Sequence, residues 1–206
     1  MLKLLLACGC LLLWMSGPVA AESGAPADVA VCAACHGDEA PSPFPSVPTI
    51  HGLPQAVLDN ALFDFRATIR PCRKPDCGAA ADCPDIDFCS IAAALSDEQI
   101  SALASWYASR RFVAAGEPFD AALAARGAQL HQDKCDSCHT EGGTSSTEQA
   151  TILRGQRKAY LRLALEDFRQ ERRVAVAEMD AMIRALSDDE LTALVEFYAS
   201  PRRPKQ

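Results

Sequence analysis

The sequence Cys32-Ala33-Ala34-Cys35-His36, which returns in altered form as Cys135-Asp136-Ser137-Cys138-His139, decides the fold of this chain. Each is a C-x-x-C-H motif, the attachment sequence of a c-type haem. Two thiols on one helical turn bond to the vinyl groups of the porphyrin, and the histidine that follows supplies a nitrogen to the iron. A C-x-x-C pair alone would also suit a thioredoxin-like or zinc site. The two complete motifs predict two covalently bound haem c groups, held by Cys32, Cys35, Cys135 and Cys138, with His36 and His139 as metal ligands.

The N-terminus has the pattern of a secretory signal peptide. Lys3 is the positive charge, residues 4–15 are apolar, and Val19-Ala20-Ala21 is a small-residue cleavage site. Residues 1–21 are therefore predicted to be a signal peptide, and the mature chain is expected in the periplasm. A lipoprotein signal at Cys8 is the alternative, although the apolar run before it is short. No later stretch reaches the roughly 20 apolar residues of a membrane span, so the protein is not expected to be transmembrane.

The chain contains an internal repeat. Gly52 lies 16 residues after His36, and Gly155 lies 16 residues after His139. An Asp-Phe-Arg triplet follows each histidine by 28 residues, at 64–66 and at 167–169. A Leu-Ser-Asp triplet follows at 95–97 and 186–188, after 59 and 47 residues, so the first copy holds 12 additional residues. This pattern predicts two domains, at 22–114 and 115–206.

Both copies are predicted to be helical, and the fold class is all-α. Ser96-x-x-Gln99 and Ser187-x-x-Glu190 are capping boxes, and each precedes an apolar face with helical spacing. Earlier helices are expected at about 55–66 and 157–171, and another at 119–135 leads into the second motif. His131 lies on that helix and is expected to be exposed.

The formal net charge is −7, or −8 once a leader containing Lys3 is removed. Nucleic-acid binding normally needs a basic face, so nucleic acid is not expected as a partner. An acidic surface is compatible with docking onto a basic redox protein.

The sixth ligand of each iron is predicted from the repeat. Met179 lies seven residues before Leu186, on a connection that could cross the second haem, and a thioether is a suitable axial ligand. Met182, about one turn further on, is its competitor. Phe88 occupies the matching position before Leu95, and phenylalanine cannot bind iron.

The first haem therefore needs a different account of its sixth position. Cys89, another cysteine of the additional segment, His51 and Lys74 are candidate ligands. An empty or water-filled position is an equally open alternative.

The additional segment of the first copy carries Cys72, Cys77, Cys83 and Cys89. An even number of cysteines in an exported protein indicates two disulfides, for which three pairings are possible. The alternatives are one disulfide with a ligating or reactive thiol pair, or a four-cysteine zinc site, whose usual close pair is missing here.

The tandem arrangement resembles the diheme class I cytochromes c. In that group a backbone carbonyl before the shared glycine often accepts a hydrogen bond from the proximal histidine, and Pro48 and Thr151 stand at that position. The second half is similar to the cytochrome subunit of flavocytochrome c sulfide dehydrogenase. The segments that carry this similarity are Phe119-Asp120-x-Ala122-Leu123-Ala124, Gly127-Ala128-x-Leu130-His131, Glu141-Gly142-Gly143, residues 167–173 and Phe197-Tyr198-Ala199-Ser200.

This resemblance implies a periplasmic electron-transfer subunit rather than a complete enzyme. It would accept electrons from a sulfide-oxidising flavoprotein subunit that binds FAD, and would pass them to a soluble acceptor such as a small cytochrome c. Two alternatives stay open. The chain could be a free-standing diheme carrier of the cytochrome c-four kind, or its first haem could bind sulfur species or small gases.

Overall fold

The computed structural model describes residues 25–39, 41–79, 83–145 and 150–201. The predicted signal peptide at 1–21 lies outside these residues. The described residues form helices and contain no strand, as the sequence predicted. The helices in chain order are α1 Val29–His36, α2 Gln55–Arg66, α3 Phe88–Ala93, α4 Asp97–Ala108, α5 Ala121–Lys134, α6 Thr140–Gly143, α7 Lys158–Arg169, α8 Ala177–Arg184 and α9 Asp188–Ala199.

Both predicted capping boxes are confirmed. In α4 the Ser96 hydroxyl accepts from the Gln99 backbone N–H, and the Gln99 side chain accepts from the Ser96 N–H. Ser187 and Glu190 repeat the arrangement at the start of α9. Each box satisfies N–H groups that a helix start otherwise leaves without partners.

A hydrophobic core lies in each half of the chain. In the second half, α9 is buried along most of its length and packs on α5 and α7. Gly127 of α5 makes the α5–α9 crossing possible, because a Cβ there would lie 2.0 Å from the carbonyl oxygen of Ala193. In the first half, α4 packs on α2, with Leu103 and Tyr107 in its core.

The glycine shared by the two copies closes each core in the same way. The Gly52 N–H donates to the Tyr107 carbonyl at 2.8 Å, and the Gly155 N–H donates to the Tyr198 carbonyl at 2.7 Å. Gly155 has φ +90°, and a Cβ on it would lie 2.6 Å from the Cβ of Ala114. A positive φ and this close approach both require glycine.

The two halves are joined by a buried interface. The Thr49 N–H donates to Gln156 Oε1 at 2.9 Å, and Gln156 Nε2 donates to the Thr49 carbonyl at 2.7 Å. Ile152 of the second half completes the hydrophobic core of the first. Arg73 of the additional segment forms a two-bond ion pair with Asp167, whose side chain is 4% exposed. No helix in the described part of the chain is long and apolar enough to cross a membrane.

Candidate haem sites

The four motif cysteines are free thiols, whereas the other four described cysteines form two disulfides, Cys72–Cys89 and Cys77–Cys83. In the first copy, Cys32, Cys35 and His36 lie on the last turns of α1. In the second copy the motif follows α5 as a single turn, in which the His139 N–H donates to the Cys135 carbonyl at 2.9 Å. Both arrangements put the two thiols about one turn apart, as thioether attachment requires.

The motif histidines are held through Nδ1, which leaves Nε2 as the nitrogen for iron. His36 Nδ1 donates to the Pro48 carbonyl at 2.8 Å, and His139 Nδ1 donates to the Thr151 carbonyl at 3.3 Å. These are the two carbonyls that the family resemblance implies. A hydrogen bond at one ring nitrogen sets the tautomer and ring orientation for metal binding at the other.

Burial keeps these histidines neutral. It lowers the pKa of His36 to about 4, against the opposing hydrogen bond to Pro48. Burial also lowers the pKa of His139. A neutral imidazole is the form that binds a metal ion.

Burial also acts on the first thiol of each motif, whereas Cys138 is exposed. Burial raises the pKa of Cys32 to about 11, with further contributions from Asp28 and Cys35. Burial likewise raises the pKa of Cys135. Both cysteines are therefore held as thiols near neutral pH rather than as reactive thiolates.

Phe88 lies close to the first motif histidine, at the repeat position that Met179 holds in the second copy. It is the first residue of α3, and its ring centre lies 6.2 Å from that of His36 and 5.4 Å from that of Phe65. It also packs on a buried cluster next to the motif, composed of Cys35, Phe44, Val47 and Cys77. The additional segment thus covers the first haem site with an aromatic ring.

The second site has a thioether at the matching position. Met179 is half-buried in α8, whereas Met182 in the same helix is 46% exposed. The lower exposure of Met179 favours it as the sixth ligand, in line with its position in the repeat.

The residues that the sequence suggested as sixth ligands of the first haem have other partners. Cys89 is bonded to Cys72, so neither offers a thiolate, and the predicted alternative of a ligating thiol pair is not formed. The zinc alternative is likewise not formed, because the sulfurs of all four cysteines are bonded in pairs. Lys74 forms an exposed ion pair with Asp85.

His51 lies in different surroundings from Phe88. Its Nε2 is 3.3 Å from the Asp38 carbonyl, and its ring meets Tyr107 edge-on at 5.0 Å. Together with Trp106 and Arg110 it lines a cleft of about 370 Å³. The Nδ1 of His51 is buried without a hydrogen-bond partner among the described residues, so its role as a sixth ligand stays a prediction.

The expectation that His131 is exposed is wrong. Its side chain is buried, its Nδ1 lies 2.9 Å from the Tyr198 hydroxyl, and its Nε2 lies 3.1 Å from Asp136. Position along α5 alone did not reveal this, because α9 covers that face of the helix.

A half-buried cationic cluster at the domain interface was missed by sequence reasoning. Tyr160 is half-buried and lies beside both Arg70 and Arg173, whose guanidinium groups lie over Phe65 and Phe168 at 4.3 and 4.2 Å. Burial raises the pKa of Tyr160, but the two arginines lower it by more. Burial, followed by repulsion from Arg173, lowers the pKa of Arg70 to about 10. The repeat itself carried a signal, since each arginine lies five residues after the phenylalanine of an Asp-Phe-Arg triplet.

This cluster fits a bound haem. Arg70 Nε is buried and has no hydrogen-bond partner among the described residues. A buried donor atom of this kind needs an acceptor, and a counter-charge stabilises two cations that lie together in a half-buried site. The propionate groups of a haem would supply both. The free thiols, the neutral histidines and this cluster together form a donor set that suits haem c.

Comparison with known proteins supports the assignment of haem c to these residues. The cytochrome c family model matches residues 124–200. The chain is 31% identical over 193 residues to the thiosulfate dehydrogenase electron acceptor of Stutzerimonas stutzeri strain A1501, covering 87% of this chain and 82% of that protein. It is 28% identical over 182 residues to cytochrome c4 of Stutzerimonas stutzeri, covering 82% and 83% of the two chains. The crystal structure of reduced recombinant cytochrome c4 from Pseudomonas stutzeri has a TM-score of 0.68 and 27% identity, over 84% of this chain and 94% of that one.

Proposed function

Because this chain belongs to the family of tandem class I cytochromes c and carries covalently bound haem c, we propose that it is a periplasmic electron carrier for an enzyme that oxidises an inorganic sulfur compound. Haem c supplies an iron centre that gains and loses one electron. The residues of the chain attach, orient and shield that group.

The observation that carries the proposal is the bond between the two segments that hold the proximal histidines. Thr49 follows Pro48, the acceptor for His36, and it is hydrogen-bonded twice to Gln156. Gln156 follows the segment that contains Thr151, the acceptor for His139. A buried link of this kind holds the two sites in one relative position, which suits transfer of an electron between them.

The electron donor is proposed from two resemblances. One relative is named as the electron acceptor of a thiosulfate dehydrogenase, and it matches most of both chains. The second half of the sequence, through its segment 167–173, resembles the cytochrome subunit that accepts electrons from an FAD-binding sulfide dehydrogenase. Both donors oxidise an inorganic sulfur compound. We place the thiosulfate enzyme first, because that relative matches the first half as well.

The donor is tested by mixing the oxidised protein with each candidate enzyme and its substrate and following haem reduction by stopped-flow absorbance. Rapid reduction by thiosulfate dehydrogenase with thiosulfate, but not by thiosulfate alone, supports the leading proposal. Rapid reduction only by the flavoprotein with sulfide, together with copurification of FAD, moves the assignment to the flavoprotein. Reduction by neither enzyme refutes both donors and leaves a free-standing carrier of the cytochrome c4 type.

Export is tested on the same preparation by sequencing the N-terminus of the mature protein. Cleavage after Ala21 predicts a mature chain that begins at Glu22 and fractionates with periplasmic proteins. A chain that retains Met1 and lacks covalent haem would contradict the signal-peptide prediction.

A further inference from the structure

We propose that the first haem site binds a small uncharged diatomic molecule, of the class of carbon monoxide and nitric oxide, on the face that Phe88 covers. The inference rests on the presence of haem at the motif of Cys32, Cys35 and His36. It does not depend on which enzyme donates electrons.

A phenyl ring lies near the proximal histidine of the first site. The Phe88 ring lies 6.2 Å from the His36 ring, centre to centre, at the repeat position that holds Met179 in the second half. A phenyl ring has no lone pair for iron, whereas a thioether has one. The first site therefore has an apolar side chain where the second has a ligand.

Two of the candidate iron ligands in the first domain are bonded to other residues. Cys89 is adjacent to Phe88 in sequence, but its sulfur is bonded to Cys72. Lys74 is paired with Asp85, and His51 lies against Asp38 and Tyr107. Cys89 and Lys74 are thus engaged elsewhere, within the part of the chain that the structure describes, and the His51 ring meets Tyr107 rather than Phe88.

A helix cap and the two disulfides hold Phe88 in place. Asp87 caps α3 through the Ser90 N–H, and the next residue, Cys89, is tied by its disulfide to Cys72. The second disulfide places Cys77 in the cluster on which Phe88 packs. The additional segment therefore holds the Phe88 ring in a fixed position.

The groups that surround Phe88 are apolar. Phe88 contacts Phe65, and it packs against Phe44, Val47 and a disulfide sulfur. These groups offer no hydrogen-bond donor to a bound ligand. An anion entering an apolar site loses its hydration without compensation, and oxygen loses the stabilising hydrogen bond of a polar distal pocket. Carbon monoxide and nitric oxide are uncharged and do not depend on such a hydrogen bond, so they suffer neither loss.

The test is a carbon monoxide titration of the dithionite-reduced protein, together with electron paramagnetic resonance of the oxidised protein. We expect carbon monoxide to bind one of the two haems, and the oxidised first haem to be high-spin. Phe88→Leu should keep both properties, because leucine is also apolar. Phe88→Met should abolish carbon monoxide binding and make the first haem low-spin. Leucine and methionine are similar in volume, so this pair of variants isolates the thioether.

Several outcomes would overturn the inference. Two low-spin haems in the wild-type protein and in Phe88→Leu, with no carbon monoxide bound by either, would show that another group of the chain occupies the sixth position. Carbon monoxide binding that persists unchanged in Phe88→Met would show that the ligand binds the second haem and not the face that Phe88 covers. Reduction by the sulfur-oxidising enzyme is measured separately, so a failure here leaves the electron-carrier proposal standing, and the reverse also holds.

Discussion

Replacing Gln156 with alanine should weaken the attachment between the two domains. The side chain is 2% exposed, and it satisfies both the N–H and the carbonyl of Thr49 across the interface. In Gln156→Ala, the N–H and the carbonyl of Thr49 both lose their hydrogen-bond partner at a site from which the surrounding residues exclude water. Each buried group left without a partner costs about 1–3 kcal/mol. The free energy of unfolding should therefore fall by roughly 2–6 kcal/mol for the two groups together.

The assay is guanidinium unfolding of the haem-loaded protein, followed by far-ultraviolet circular dichroism and by haem absorbance. Because the lost contacts lie between the domains, we expect the transition to broaden or to separate into two steps. Gln129→Ala is the matched control, since Gln129 is exposed on α5 and its side chain donates a hydrogen bond to Asp133 of the same helix. Surface changes of this kind stay within about 0.5 kcal/mol.

The reasoning would be refuted if Gln156→Ala unfolded at the same denaturant concentration as Gln129→Ala, in one transition of unchanged slope. Gln156→Glu provides a second measurement. It retains an acceptor for the Thr49 N–H but places a carboxylate oxygen against the Thr49 carbonyl. We expect a loss at least as large as that of the alanine variant.

Three further predictions concern the second domain. Gly127→Ala should lower the free energy of unfolding by at least about 3 kcal/mol, since its Cβ would meet the Ala193 carbonyl. The control is Ala125→Gly, at an exposed position of the same helix, which should cost about 1 kcal/mol by helix propensity alone. Equal shifts of the melting temperature in the two variants would contradict the close approach of α5 to α9. Met179→Ala should convert the second haem from low-spin to high-spin in electron paramagnetic resonance, and an unchanged spectrum would transfer the ligand role elsewhere. Asp167→Asn should cost roughly 2 kcal/mol in thermal unfolding, less than a fully buried pair because its two arginine partners are 35% and 39% exposed, and no loss would show that the ion pair contributes nothing to the interface.

Features that depend on local spacing could be predicted from the sequence alone. The C-x-x-C-H motifs, the capping boxes at Ser96 and Ser187, and the bounds of α2 follow from residues within a few turns of one another. The repeat also predicted that the first copy has no methionine opposite His36, because Phe88 and Met179 stand at matching positions. These inferences need no knowledge of how the helices pack.

The pairing of the cysteines in the additional segment was decided by the tertiary structure. Three pairings satisfied the spacing, and only the folded chain brings Cys72 to Cys89 and Cys77 to Cys83. The burial of His131 likewise depended on α9, which lies about 60 residues away in the sequence. Periodicity describes the face of one helix, and it does not say which other element will cover that face.

The domain interface was decided in the same way. Thr49 and Gln156 lie 107 residues apart, and nothing in their local sequence marks them as partners. Arg70, Arg173 and Tyr160 meet only because the two copies pack with these faces together. The sequence therefore determined what each haem site contains, since haem attachment is local chemistry. The tertiary structure decided how the two sites are joined and which donors reach the first one, because those properties depend on long-range packing.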